Sequence, residues 1–193
     1  MSTKVELLDH NPGWAEQAVL EAERFATALG SDPRLIAIHH IGSTSIPGIQ
    51  AKGIIDLCPE VTSLEWLDER REAIEAAGFE YWGEYGIPGR RFCPQTGGDG
   101  WRRVNVHCFL SGQEGLIRHL AFRDYLRTYP DLARDYERVK QACAERFREE
   151  PHAYTDCKGE WIQATQAQAL EWWAQGRAEA ADSRPSWVPL SAG

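Results

Sequence analysis

An aspartate sits in the middle of the apolar segment Ile54-Ile55-Asp56-Leu57-Cys58. Segments rich in isoleucine and leucine fold as buried strands. A carboxylate in such a place is costly unless it is paired, hydrogen-bonded or metal-bound, so the fold must bring it partners. Twelve residues separate Asp56 from Ser43, in the run Gly42-Ser43-Thr44-Ser45. That run follows directly on a second strand-like segment, Leu35-Ile36-Ala37-Ile38-His39-His40-Ile41. Glycine lets the backbone approach an anion closely, and the serine hydroxyl with nearby N–H groups can bind its oxygens. Alone, Gly-Ser-Thr-Ser is also a plain turn. Joined to a strand-borne Asp56, it reads as a phosphate cradle beside a carboxylate.

The rest of the chain supplies the elements around that pair. Asn11 as N-cap and Pro12 at the first helical position open a helix over 12–29, with Trp14, Ala18, Ala22, Phe25 and Leu29 on one stripe and Gly30 as its stop. Strands are expected at 35–41 and 54–58, with a loop over 42–53. Thr62 and Glu65 form a candidate capping box for a helix carrying Leu64, Leu67, Ile74 and Ala77 and ended by Gly78. Phe79 to Tyr85 alternates as a strand, Ile87-Pro88-Gly89 turns, and a short strand follows near 90–93. After a loop at 94–100, a strand over 101–109 places Val104, Val106 and Cys108 on one face and Arg103, Asn105 and His107 on the other. From there the pattern is helical. One helix opens at Ser111 and Glu114, a second at Pro130 with Leu132, Tyr136, Val139, Cys143 and Phe147 as its stripe, and a third covers 158–175. Runs of strands followed by runs of helices predict an α+β domain over 1–176, a mixed sheet with a C-terminal helical layer. Residues 177–193 are expected to form a loose tail, with Trp187 and Leu190 as its anchors.

Charge and cysteine content narrow the function. The chain carries 21 Lys and Arg against 29 Asp and Glu, a net charge of −8, which argues against binding bulk nucleic acid. Arg90, Arg91, Arg102 and Arg103 nevertheless cluster locally, which suits a small anionic ligand or else a solvated arginine face. No stretch approaches the ~18 apolar residues of a membrane helix, and the N-terminus shows no export pattern. Five cysteines without a C-x-x-C pair read as reduced thiols in a cytoplasmic protein.

The Gly42-Ser43 and Asp56-Leu57 spacing resembles the signature of the nucleotidyltransferase fold. More closely, three segments in order resemble the GrpB family of bacterial proteins: His39-His40-Ile41-Gly42-Ser43-Thr44-Ser45-Ile46-Pro47-Gly48 through Asp56, Gly83 through Phe92, and His119 through Arg127. The resemblance runs over about 4–175. It implies a nucleotidyltransferase-like mixed sheet packed with helices. It also implies a partner protein in coenzyme A metabolism, since such domains are appended to some dephospho-CoA kinases.

What the resemblance implies for the site is a nucleotide or phosphorylated metabolite and a divalent metal, Mg²⁺ being the usual one. Gly42, Ser43 and Thr44 would cradle phosphate, with Lys52, Arg90 and Arg91 neutralising its charge. Asp56, His107 and Glu84 would hold the metal, and Glu84 or His107 would serve as base. The chain departs from the superfamily where a second strand carboxylate usually stands: here it is Cys58, on the same strand face as Asp56. Mg²⁺ prefers oxygen to sulfur. Glu84 can replace the missing oxygen or pair with Arg90 or Arg91 across the hairpin. His107 can be a ligand or a sheet histidine, and Cys58 a small buried hydrophobe. His39 and His40 read as structural. Arg118, Arg123 and Lys158 carry no assigned role. Two functions compete: metal-dependent nucleotidyl transfer, and a non-catalytic binding or partner domain.

Overall fold

The structure is a computed structural model, and it describes residues 4–176. The expected tail falls outside them. Four strands form one mixed sheet: β1 (Leu35–Ile41), β2 (Ile55–Val61), β3 (Arg91–Thr96) and β4 (Arg102–Leu110). Their order is β1-β2-β4-β3. β2 and β4 run parallel in the centre, and β1 and β3 flank them antiparallel.

The sheet separates two apolar layers. On one face α1 (Gly13–Leu29) packs with α2 (Leu64–Glu69) and α3 (Arg71–Ala76), burying Phe25, Leu29, Trp66 and Ile74 against Leu57, Val104, Val106 and Cys108. Full burial of each such large side chain contributes about 1.5–3 kcal/mol. On the other face α4 (Glu114–Thr128) covers Ile41, Cys58 and Phe109 with Leu116 and Leu120. The remaining helices, α5 (Pro130–Arg146), α6 (Pro151–Cys157) and α7 (Gly159–Ala174), build the outer layer, α7 lying along α4. The α+β architecture and the alternation on β4 stand as expected, as does the buried stripe of α1.

Several boundaries differ, each for a local reason. β2 runs on through Pro59 to Val61, because Glu60 and Val61 still find partners in Phe109 and Leu110 of β4. The helix after it is capped by Ser63, whose Oγ accepts from Trp66 N at 3.1 Å, and not by Thr62. It breaks at Arg70 into two short helices. Residues 79–85 are not a strand. Their backbone does follow β3, with Glu80 N donating to Pro94 O and Trp82 N to Phe92 O. Positive φ at Gly83, Tyr85 and Gly86 then curls the chain away from extension. β3 runs over 91–96, and its proline is tolerated because β3 is an edge strand. α4 opens at Gln113, since Ser111 Oγ donates to Glu60 instead of capping.

The thiols also depart from expectation. Cys143 on α5 and Cys157 at the end of α6 form a disulfide, with their Cα atoms 5.9 Å apart. α6 was not apparent in the sequence pattern, and it is the element that brings Cys157 back to α5. Cys58, Cys93 and Cys108 are free and buried.

Candidate functional site

β1 ends at a glycine because of what lies beside it. Gly42 has φ +70°, and a Cβ there would fall on the Asp56 carboxyl, 2.9 Å from its Cγ and nearer still to Oδ2. A single 3₁₀ turn, Ser43–Ser45, follows. Ser45 Oγ donates to Gly42 O at 2.6 Å, and Thr44 Oγ1 donates to Ile54 O at 3.2 Å. His40 Nε2 lies 2.9 Å from Thr44 Oγ1. Burial pushes His40 down to about 4, so the imidazole is neutral and supports the turn. α4 clamps the same turn from behind. Arg123 Nη1 donates to His40 O at 3.1 Å and Arg127 Nε to Ser45 O at 2.9 Å. Arg123 is itself neutralised by Asp124, and both are buried. The unassigned Arg123 therefore positions the turn.

Asp56 lies between Ile41 of β1 and Asn105 of β4. Asn105 Nδ2 donates to its Oδ1 at 2.8 Å, and His107 Nε2 stands 3.8 Å from the same oxygen. Burial alone would raise the Asp56 carboxyl. His107, Asn105 and Lys52 together outweigh it, and the group sits below the ordinary carboxylate value.

Asp56 and Asn105 open into a cavity of about 170 Å³ that also takes Ser43 and Thr44. Its far wall comes from the C-terminal helices. Lys140 is buried, donates from Nζ to Gln50 O, and lies 4.6 Å from the Tyr136 ring centre. Burial, and then the charge of Lys158, pushes it down to about 7. Tyr154 holds two further ammonium groups over its ring, Lys158 at 4.6 Å and Lys52 at 5.4 Å. Both are lowered by burial, and the negative charge of Asp56 opposes that shift. Ser43 Oγ and the Tyr136 hydroxyl are hydrogen-bonded at 3.3 Å. A second cavity of about 350 Å³ shares Lys52 and Ile54 with the first and is bordered by Trp14, Trp101 and Arg102.

Gly42, Ser43, Thr44, Lys52, Asp56 and His107 are thus brought together, and three predicted residues are not. Arg91 faces Cys108 across the ladder, on the opposite side of the sheet from Asp56, and its guanidinium grips Asp68 at 2.6 and 2.8 Å. Glu84 is half exposed on its turn, where Oε1 accepts from Gly89 N at 2.6 Å and stands 4.0 Å from Arg91 Nη1. That is the hairpin pairing, and Glu84 does not line the cavity beside Asp56. Arg90 is buried and spends its donors on Tyr85 O at 2.8 Å and Glu84 O at 3.2 Å. Its Nη1 is 3.3 Å from His107 Nδ1, so it reaches the site only through that ring.

The donor set beside Asp56 is poor in oxygen. Cys58 shares the face of Asp56 but is sealed among Ile41, Phe109, Leu116 and Leu120, and burial pushes its thiol up. Among the described residues no three His, Cys, Asp or Glu converge as a ligand set. One carboxylate, an amide and an imidazole do not fit the oxygen-rich shell of a two-Mg²⁺ centre. From the sequence, neither Lys140 nor Tyr154 is singled out as a site residue, Lys158 is left without a role, and Asn105 is placed on the His107 face without being assigned to the site. One signal was available: Lys140 lies four residues after Tyr136 and three before Cys143, on a buried stripe where a lysine needs a reason.

The description "GrpB protein" fits residues 4–168. A relative from Bacillus subtilis, UPF0157 protein YqkA, is 42% identical over 169 residues, 88% of this chain. The chain spans 48% of that relative's length. A dephospho-CoA kinase from Mycolicibacterium paratuberculosis is 29% identical over 87% of this chain, which spans 46% of the kinase. The crystal structure of conserved protein GrpB from Enterococcus faecalis superposes with a TM-score of 0.81 at 32% identity, covering 88% of this chain and 99% of that one. Cid1 poly(U) polymerase with Mg and 3′-dATP bound superposes with a TM-score of 0.53 at 12% identity, over 77% of this chain and 49% of that one, a likeness of fold alone. The chain belongs to the GrpB family and has a nucleotidyltransferase-like fold.

Proposed function

We propose that this chain binds a nucleotide or related phosphorylated metabolite, with its phosphate in the cavity beside Asp56. The observation that carries the reading is the convergence of the Ser43–Ser45 turn with Lys52, Lys140 and Lys158 on one small space. A cavity of about 170 Å³ is below the size of a typical small-molecule site and suits phosphoryl groups. The adjoining 350 Å³ cavity, with Trp14 and Trp101 on its border, would take the rest of the ligand. Such a ligand belongs to the cytoplasm.

Nucleotidyl transfer is the reaction this arrangement would serve. An acceptor hydroxyl would attack the α-phosphorus and expel pyrophosphate. Asp56, the carboxylate that opens into the cavity, is the group to take the acceptor's proton, with His107 Nε2 facing its Oδ1 and Arg90 donating to His107 Nδ1 behind it. The ammonium groups would stabilise the charge that develops on the phosphoryl oxygens.

A second reading, a non-catalytic binding or partner domain, is favoured by the donor set: Cys58 stands sealed where a second carboxylate would be needed. The dephospho-CoA kinase relative suits that reading, because there a similar sequence is one part of a longer protein. The two readings separate in one experiment. Nucleoside triphosphates and phosphorylated coenzyme A precursors are screened by thermal shift, and the binders are incubated with acceptors and assayed for pyrophosphate. A true ligand at a hundred times its Kd should add about 2.7 kcal/mol, a Tm rise of roughly 5–10 °C. Binding with pyrophosphate release supports transfer, and binding without turnover supports the partner domain. No shift with any phosphorylated compound overturns both.

A further inference from the structure

We propose that Lys52, Lys140 and Lys158 take the place of metal ions as the counter-charge for phosphate in this pocket, so that the phosphorylated ligand binds as the free anion. This rests on the phosphate-binding reading above and names how the charge is met.

The charge balance is the first argument. Three ammonium groups border a cavity that contains one carboxylate, Asp56. Among the described residues neither Lys52 nor Lys158 has a carboxylate within 4.0 Å, although the molecule as a whole is acidic. Positive charge gathered in a partly enclosed space without a protein anion to match it is the arrangement that recruits an anionic ligand.

Donor geometry is the second. An ammonium has three N–H donors. Lys140 uses one on Gln50 O, and it is buried, so its other donors have the cavity as their outlet. Lys52 and Lys158 each approach the Tyr154 ring, at 5.4 and 4.6 Å from its centre, and both line the cavity, so one aromatic residue helps to fix two flexible side chains there. These lysines come from different parts of the chain: the loop before β2, the middle of α5 and the start of α7. Their meeting is a product of the fold.

The third is the mismatch with a metal. Beside Asp56 stand Asn105, with its amide nitrogen toward the carboxylate, and His107. The position two residues along β2 is a thiol closed off by α4. Lysines in the same cavity compete with a divalent cation for both the space and the carboxylate.

The two arrangements make opposite predictions for Asp56. If a metal bridges Asp56 to phosphate, Asp56→Asn weakens binding. If lysines bind the phosphate directly, Asp56 is a like charge beside it, and Asp56→Asn tightens binding. The experiment is calorimetry with inorganic pyrophosphate and with ATP, in EDTA and in Mg²⁺, on wild type, Asp56→Asn, Lys158→Met and Lys158→Arg. Expected are binding in EDTA at least as tight as in Mg²⁺ and tighter binding by Asp56→Asn. Lys158→Met should lose about tenfold or more, the scale of one charge-assisted hydrogen bond, with partial recovery in Lys158→Arg. Circular dichroism and Tm confirm that each variant is folded, and Lys52→Met replaces Lys158→Met if the latter is not. Binding that requires Mg²⁺ and is lost in Asp56→Asn overturns the lysine proposal and leaves phosphate binding standing. No binding of either probe, in EDTA or in Mg²⁺, overturns both.

Discussion

Gly42 and Asp56 are in such close apposition that no side chain fits between them: a Cβ on Gly42 would lie 2.9 Å from both Cβ and Cγ of Asp56. The end of β1 and the start of β2 are thereby locked, and the Ser43–Ser45 turn is held over the carboxylate. Gly42 also has φ +70°, where an L side chain is strained. Gly42→Ala should cost about 2–4 kcal/mol, the sum of the backbone and steric penalties, and should displace the turn. Urea denaturation measures the first, and loss of pyrophosphate binding in variant protein shown to be folded measures the second.

Lys140 should give the protein a distinctive pH dependence. Its ordinary value is 10.5, and burial brings it to about 7 in the folded state. Below pH 7 both folded and unfolded chains hold the proton, and the folded state carries the full burial penalty. Between about 7 and 10.5 the unfolded chain binds the proton and the folded one has shed it. Unfolding then takes up a proton, so Lys140 makes stability rise with pH across that window, by on the order of a few kcal/mol. Urea midpoints at pH 6, 8 and 9.5 should rise in wild type and rise less in Lys140→Met. Bound phosphate favours the charged lysine, so pyrophosphate affinity should fall as pH climbs through 7.

The disulfide connects stability to the site. Cys157 directly precedes Lys158, and Cys143 lies one turn beyond Lys140 on α5. The bridge closes a separation of 14 residues, worth about 3 kcal/mol on the chain-entropy scale. Reduction, or Cys157→Ser, should lower Tm and weaken pyrophosphate binding by loosening Lys158. A reduced protein with unchanged affinity would show that helix packing alone holds that lysine.

The Arg123–Asp124 pair is fully buried beneath the turn. Removing one partner leaves a charge without its mate, so Arg123→Met should cost about 3–5 kcal/mol. The double variant Arg123→Met with Asp124→Leu should recover much of that stability, yet still perturb the turn, because Arg123 also donates to His40 O. Chemical denaturation of the single and double variants, with pyrophosphate titration of the double variant, separates the two roles.

Part of this site is legible in one dimension because the physics behind it is local. The Gly42-Ser43 run and the strand-borne Asp56 are neighbours in a hairpin-like pair, and a glycine at a strand end and a carboxylate in an apolar strand are each visible in the sequence where they stand. The alternation of β4 likewise puts His107 on the side of Asp56 by the pleat alone. Adjacent arginines show the limit of the same rule. Arg90 and Arg91 look alike as a pair, but one step along the chain reverses the face, and Arg91 is committed to Asp68 across the sheet. Glu84 is carried elsewhere for a related reason, since positive φ at Gly83, Tyr85 and Gly86 turns an apparent strand into a curl.

The chain alone determined the α+β class, the phosphate-like turn and the buried carboxylate, because periodicity and backbone preference are encoded within a few residues. Only the tertiary structure decided that Lys52, Lys140 and Lys158 border one cavity, that Cys58 is closed off by α4, and that Cys143 reaches Cys157. Those are contacts between segments tens of residues apart. They are fixed by how helices pack on a sheet, and no local pattern records which lysine of a helix will face a cavity built by another.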